Sequence, residues 1–202
     1  MIDVNKVLEM HAETVQRWHL QPIDNPYDGI WGLICRQHAY NFELWHQEDI
    51  ARSPDASDAT IAQVKREIDR LNQARNDYIE KVDDWITAEL VRRDVEPAAD
   101  ARQNTETPGS AIDRLSIMAL RLYHYEEQLQ RDDADDAHLA KVQQRIELCR
   151  QQKHDLSRSL QQLLDGIAQG QFVHKTYRQM KMYNDPTLNP YLYGKQQPAR
   201  GG

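Results

Sequence analysis

The chain has 202 residues, a net charge of −7, 40% hydrophobic and 28% charged residues, and 8 Gly and 8 Pro. That length supports one well-buried domain and crowds a second core, and the balance is that of a helical globular protein. The acidic surplus repels phosphate backbones and anionic bilayers, so nucleic acid is not an expected partner, and no apolar run reaches a spanning length, so membrane insertion is not expected either.

Apolar Val4, Val7, Leu8, Val15 and Trp18 make residues 4–18 a short amphipathic helix that docks on a main body. Two prolines and several turn formers in residues 20–29 redirect the chain, and an opening helix then runs to Arg52. In that helix His38, Asn41, Trp45, Glu48 and Arg52 share one stripe, on which only Trp45 is apolar. Polar groups facing a core are costly unless paired, so the stripe implies an internal network or a site. Ser53-Pro54 ends the helix, and Ser57 or Asp58 can cap the next one.

Ile61, Val64, Ile68, Leu71, Tyr78, Val82 and Trp85 then form the clearest helical stripe in the chain. Over residues 58–92 it extends roughly 50 Å at 1.5 Å per residue. Arg75 interrupts it, with Asn72 and Asn76 on nearly the same face. Residues 93–110 read as a linker. Ser110 then starts a helix over 111–131, with Asp113 close to a capping-box position, and another long helix spans 136–167.

These last two helices repeat the previous pair at a constant offset of 78: His46 and Glu48 recur as His124 and Glu126, and Val64, Ile68, Gln73 and Asp77 as Val142, Ile146, Gln151 and Asp155. The expected fold is therefore all-α, a four-helix bundle of two antiparallel hairpins about a pseudo-twofold axis, with an added N-terminal helix. Its parts are hairpin one (29–92), the linker (93–110), hairpin two (111–168) and a docking tail (171–193) anchored by Tyr191, Leu192 and Tyr193. Residues 194–202 are expected to be disordered. The polar stripe is not repeated, since His38, Asn41 and Asn72 map to Ser116, Ala119 and Arg150. Two cysteines without a framework, and a start unlike a signal peptide, point to the cytoplasm.

In a hairpin turning near Asp55, residues whose numbers sum to about 110 lie opposite one another. Asn41 then faces Asp69, His38 faces Asn72 and Cys35 faces Arg75, which gathers His38, Asn41, Asp69, Asn72, Arg75 and Asn76 into one cluster. It is either a buried network that sets helix register or a ligand pocket. A metal alternative uses Glu43 and His46, a Glu-x-x-His pair, or His46 with Asp49 facing His124 with Glu127. A pyrophosphatase-like pairing of Glu48-Asp49 with Glu80 and Asp83 fails on distance, because the groups fall roughly 27 Å apart along the hairpin. No Ser-His-Asp order, Gly-rich phosphate loop or Cys/His zinc spacing is present, so no cofactor is legible. The basic run His174, Lys175, Arg178 and Lys181 is a solvated face or a phosphate or sugar holder.

Residues 41–49, 68–77, 106–117 and 181–186 together resemble a bacterial family known only as domain of unknown function 4254. The resemblance spans about residues 7–193. It implies a link to cell-envelope glycan assembly and adds Asp113, Arg114 and Ser116 to the candidate ligand-binding set. Turn geometry in the second hairpin places Asp113 opposite Lys153, and a helix start beside Arg114 suits an anion. Two functions follow. One is a cytoplasmic binding or accessory protein, with a glycosyltransferase or a sugar-phosphate as partner. The other is an enzyme on a nucleotide-sugar or phosphate ester, with His38 or His46 as general base and Arg75 or Arg114 as anion clamp. A homodimerisation module is a third possibility, and would leave an apolar helix face exposed.

Overall fold

In the computed structural model, which describes residues 1–193, the helices are α1 (Val4–Trp18), α2 (Gly29–Ala51), α3 (Asp58–Arg92), α4 (Pro108–Gln128), α5 (Asp136–Ala168) and the single turn α6 (Pro190–Tyr193). Each long helix except α2 starts where a side chain satisfies one or two of its orphan amides. Asp3 accepts from the Asn5 and Lys6 N–H groups at the head of α1. Ser57 accepts from Thr60 N–H at 3.1 Å, and Asp135 accepts from His138 N–H at 2.7 Å. Ser57 and Asp135 are 78 residues apart, so α3 and α5 are capped at equivalent places.

The repeat in sequence is also a repeat in packing. Leu44, Val64, Ile68 and Leu71 form the outer core of the α2/α3 hairpin, and Leu122, Val142, Ile146 and Cys149 form that of α4/α5. Each member of the second set is the first set's number plus 78. Between the hairpins lies the main core, built from Ile34, Phe42, Val82, Ile86, Ile112, Leu115, Leu120, Leu160 and Leu164. Fully burying each such side chain contributes about 1.5–3 kcal/mol.

Three expectations are corrected. Helix α1 does more than dock on a finished body: Val7, Met10, Val15 and Trp18 are in the central core, because α1 packs against α2, α4 and α5 together. Helix α4 begins at Pro108 instead of residue 111, since Thr107 is the cap that accepts from Ser110 N–H and proline suits the first helical position. The linker is also tied down. Ala98 N–H donates to Gly170 O, Arg102 N–H to Gln171 O and Val173 N–H to Arg102 O, each at 2.9 Å. Gly170 makes this possible at φ +71°, where a Cβ would sit 2.6 Å from Glu96 O.

After α5 the chain returns along α3, held by Arg178 to Glu80 and Asp84 and by Thr176 to Asp84. Tyr191 and Tyr193 are 86% and 51% exposed and do not anchor the tail. The flank of α3 that the tail follows presents Gln73, Glu80 and Asp84, to which polar groups bind and on which tyrosine rings find little to pack. The disorder expected for 194–202 lies outside the described residues. Among the described residues no helix is long and apolar enough to cross a membrane.

Candidate functional site

Helices α2 and α4 cross where the repeat meets itself. His38 and Ser116, equivalent positions 78 apart, touch through His38 Nδ1 and Ser116 Oγ at 2.6 Å. The closeness of α4 depends on Gly109, whose missing Cβ would lie 2.6 Å from Ile79 O of α3. One turn and two turns further on, Asp113 and Ser116 therefore point into the bundle. Asp113 Oδ1 accepts from Gln37 Nε2 at 2.5 Å and from Asn41 Nδ2 at 2.8 Å, and Asn41 Nδ2 also donates to Ser116 Oγ at 2.8 Å. Arg75 Nε approaches Asp113 Oδ1 at 3.9 Å, and Arg75 Nη2 reaches Asn76 Oδ1 at 3.4 Å.

Burial pushes the Asp113 carboxyl up, against the pull of the Arg75 charge and the Asn41 bond. It pushes His38 down to about 3, so that imidazole stays neutral. His11 of α1 lies ring to ring with His38 at 4.4 Å and is held well below the ordinary histidine value, again by burial first. Both rings are fully buried. This inner half of the network therefore fixes the helices against one another and is sealed from solvent.

The outer half opens. Asn41, Trp45, Glu48, Asp49, Arg52, Asn72 and Arg75 line a cavity of about 400 Å³ floored by Leu44, Ile117 and Leu120. A cleft of about 430 Å³ on hairpin two uses the equivalent places: Ala119, Leu122, Tyr123, Glu126, Arg150 and Lys153 stand for Asn41, Leu44, Trp45, Glu48, Asn72 and Arg75. Besides His154 and Ser157 of α5, its remaining wall is α1, through Leu8, Ala12, Val15 and Gln16, whereas the first cavity is closed by α4. The N-terminal helix thus breaks the symmetry of the scaffold, and only the α2/α3 cavity keeps the amide-rich lining.

Residues 31–176 match the family model described as protein of unknown function (DUF4254), which is most of the chain. The chain belongs to the DUF4254 family. The matched span contains the whole His38–Asn41–Arg75–Asp113–Ser116 network and both cavities' hairpins; α1, with His11, and the tail beyond Thr176 lie outside it. No curated protein and no solved structure matches the chain.

Of the residues expected at the site, this DUF4254 protein brings His38, Asn41, Arg75, Asn76, Asp113 and Ser116 together and sets Asn72 on the cavity wall. Asp69 is elsewhere: it faces solvent and pairs with Lys65 one turn earlier on α3. His38 faces Ser116 instead of Asn72, because the buried face of α2 is shared between α3 and α4. Cys35 is likewise not beside Arg75, its Sγ lying 3.9 Å from Asp24 O. Arg114 is exposed and bonded to Glu106. The head of α4 is not a free anion holder, since Asp83 Oδ1 already accepts Gly109 N–H at 2.8 Å. Asp113 turns to Arg75 and not to Lys153, which lines the second cleft.

Glu43 lies among the charges of Arg70, Glu67 and Arg36 and is not one of the groups that gather at His46, and Asp49 lines the cavity. His46 instead meets His19 and His124. Sequence reasoning missed Gln37, His11 and His19. Gln37 was adjacent to the stripe, one residue from His38; the two histidines belong to α1 and its C-cap, and no local pattern reveals the central place of that helix.

Proposed function

We propose that this DUF4254 protein binds a carbohydrate carrying an anionic group, such as a sugar-phosphate, in the α2/α3/α4 cavity, as a binding or accessory protein of cell-envelope glycan assembly working in the cytoplasm. Arg75 is the observation that carries the reading. Its side chain is 24% exposed, its Nε is buried with no hydrogen-bond partner among the described residues, and its nearest carboxylate is 3.9 Å away. A guanidinium offers five donors in a planar fork that suits phosphate and carboxylate. Among the described residues only Nη2 of this fork is hydrogen-bonded, to Asn76 at 3.4 Å, and the spare donors are where a ligand oxygen would bind.

The rest of the lining suits the other part of such a ligand. Asn41, Asn72, Glu48 and Asp49 supply planar donors and acceptors for hydroxyls, and Trp45 supplies an apolar face for a sugar's C–H groups. The ring of Trp45 is pre-set by stacking on His124 at 4.7 Å and 8°. Binding is favoured over acid–base catalysis because His38 is fully buried, and the cavity lining includes no histidine. The glycan setting comes from the family resemblance, as does a glycosyltransferase as partner.

The test is calorimetric and fluorescence titration with glucose 1-phosphate, UDP-glucose, free glucose and inorganic phosphate. Saturable binding of a phosphorylated sugar, weakened about 10- to 100-fold by Arg75→Met with the fold intact, is expected, one charge-assisted bond being worth roughly 1.5–3 kcal/mol. Equal binding by wild type and Arg75→Met, or none of the four probes binding, would end the proposal.

A further inference from the structure

Helices α1, α2 and α4 finish at one end of the bundle, and a histidine from each meets there. His19 caps α1, His46 lies in the last turns of α2, and His124 in the last turns of α4. One ring nitrogen from each lies within 4.8 Å of the others. His46 and His124 are repeat equivalents, and His19 is the third member supplied by the helix that breaks the symmetry.

The second nitrogen of each ring decides what the first can do. His19 Nδ1 donates to Val15 O at 2.7 Å, His46 Nδ1 to Phe42 O at 2.8 Å, and His124 Nδ1 to Glu127 Oε2 at 2.7 Å. Carbonyl and carboxylate oxygens only accept, so the proton of each neutral ring sits on Nδ1 and Nε2 carries a bare lone pair. Nε2 of His19 and of His124 are buried without a hydrogen-bond partner among the described residues. Three acceptors gathered with no donor between them among the described residues repel one another unless a cation joins them. Histidines held at one nitrogen by a carbonyl or carboxylate are also oriented as metal ligands are. The rings are clamped besides: Tyr123 stacks on His19 at 4.0 Å and 18°, and Trp45 on His124 at 4.7 Å and 8°.

We propose that His19, His46 and His124 bind one divalent transition-metal ion through their Nε2 atoms, with zinc the expected occupant and Glu127 positioning His124. Bonds of about 2.0–2.1 Å place tetrahedral ligands about 3.3 Å apart, so each nitrogen moves inward by less than about 1 Å. Three imidazoles suit zinc, copper or nickel over magnesium or calcium. They leave one coordination position, the arrangement of zinc that acts on water or substrate instead of zinc that only braces a fold. Trp45 backs His124 on one side and lines the Arg75 cavity on the other, so the ion would stand behind the cavity wall.

The experiment uses the full chain, stripped with a chelator and titrated with Zn²⁺ by calorimetry and with Co²⁺ by visible absorption. One ion per chain, a zinc-dependent rise in Tm and a low-coordinate Co²⁺ spectrum are expected. Glu127→Gln should weaken binding about 10- to 100-fold, and His124→Ala by about 100-fold or more. Circular dichroism checks that the variants fold. If His124→Ala does not, nitrogen-15 spectra of the intact protein decide the matter, since zinc must shift the Nε2 signals of these three histidines. No stoichiometric binding by the intact chain, zinc shifts at other residues, or wild-type affinity in folded His124→Ala would overturn the proposal.

Discussion

Acid should loosen this bundle through His38, and the size of the effect can be worked out. The ring is fully buried beside His11 and its pKa is held at about 3 by burial, against 6.5 for the same side chain in the unfolded chain. Below the unfolded value the unfolded state takes up a proton that the folded state refuses, so stability rises with pH. The contribution is complete above about pH 6.5 and drains away as pH falls from there towards the folded value. Linkage between about pH 7 and about pH 5 gives about 2 kcal/mol for this one group, and His11 adds a loss of the same sign. Asp113, Asp83 and Glu43 are raised by burial and slope the opposite way, but they cancel when wild type is compared with a variant. In His38→Asn an amide takes over the contact with Ser116 without a group that titrates. Urea unfolding followed by far-ultraviolet circular dichroism, at constant ionic strength, should show wild type losing about 2 kcal/mol more than the variant across that pH interval. Parallel stability curves would refute the burial argument for His38.

Three further outcomes follow from the geometry. Asp113→Ala removes the acceptor shared by Gln37 and Asn41 and the nearest charge to Arg75, and should cost about 3–5 kcal/mol in urea unfolding, much of it recovered by adding Arg75→Met. Gly29→Ala, at φ +57° with nothing within 4 Å, should cost only the left-handed backbone penalty of about 1–2 kcal/mol. Gly170→Ala adds a collision 2.6 Å from Glu96 O and should lower Tm clearly further, freeing the linker. Arg178→Ala should leave the melting of the bundle unchanged while speeding proteolysis within residues 176–193, because Glu80 and Asp84 hold that segment to α3.

The helices were legible because their signals are local. Apolar residues recurring at three and four, Ser57 before α3, and Pro54 after α2 fix where a chain can coil, and α3 spans the Asp58–Arg92 stretch read from its stripe. The repeat was legible too, since a hairpin that packs the same way twice must place Leu44, Val64 and Ile68 and their equivalents at the same offsets. In the site, His38 and Asn41 announced themselves on a stripe where only Trp45 is apolar, and Arg75 as the break in an apolar one, and the burial cost of such groups demands partners.

The partners themselves were another matter. Pairing α2 against α3 alone gave Asp69 and Asn72 to a face that α4 in fact takes, and Asp69 went to solvent with Lys65. Nothing near Trp18 in sequence marks α1 as a core element, yet its arrival places His11 on His38 and His19 between His46 and His124. Sequence by itself determined which segments coil and which faces need covering, because hydrogen bonds and side-chain period act within a few residues. Tertiary structure alone decided which covered face meets which, because that choice balances packing and charge across separations such as the 78 residues between His38 and Ser116.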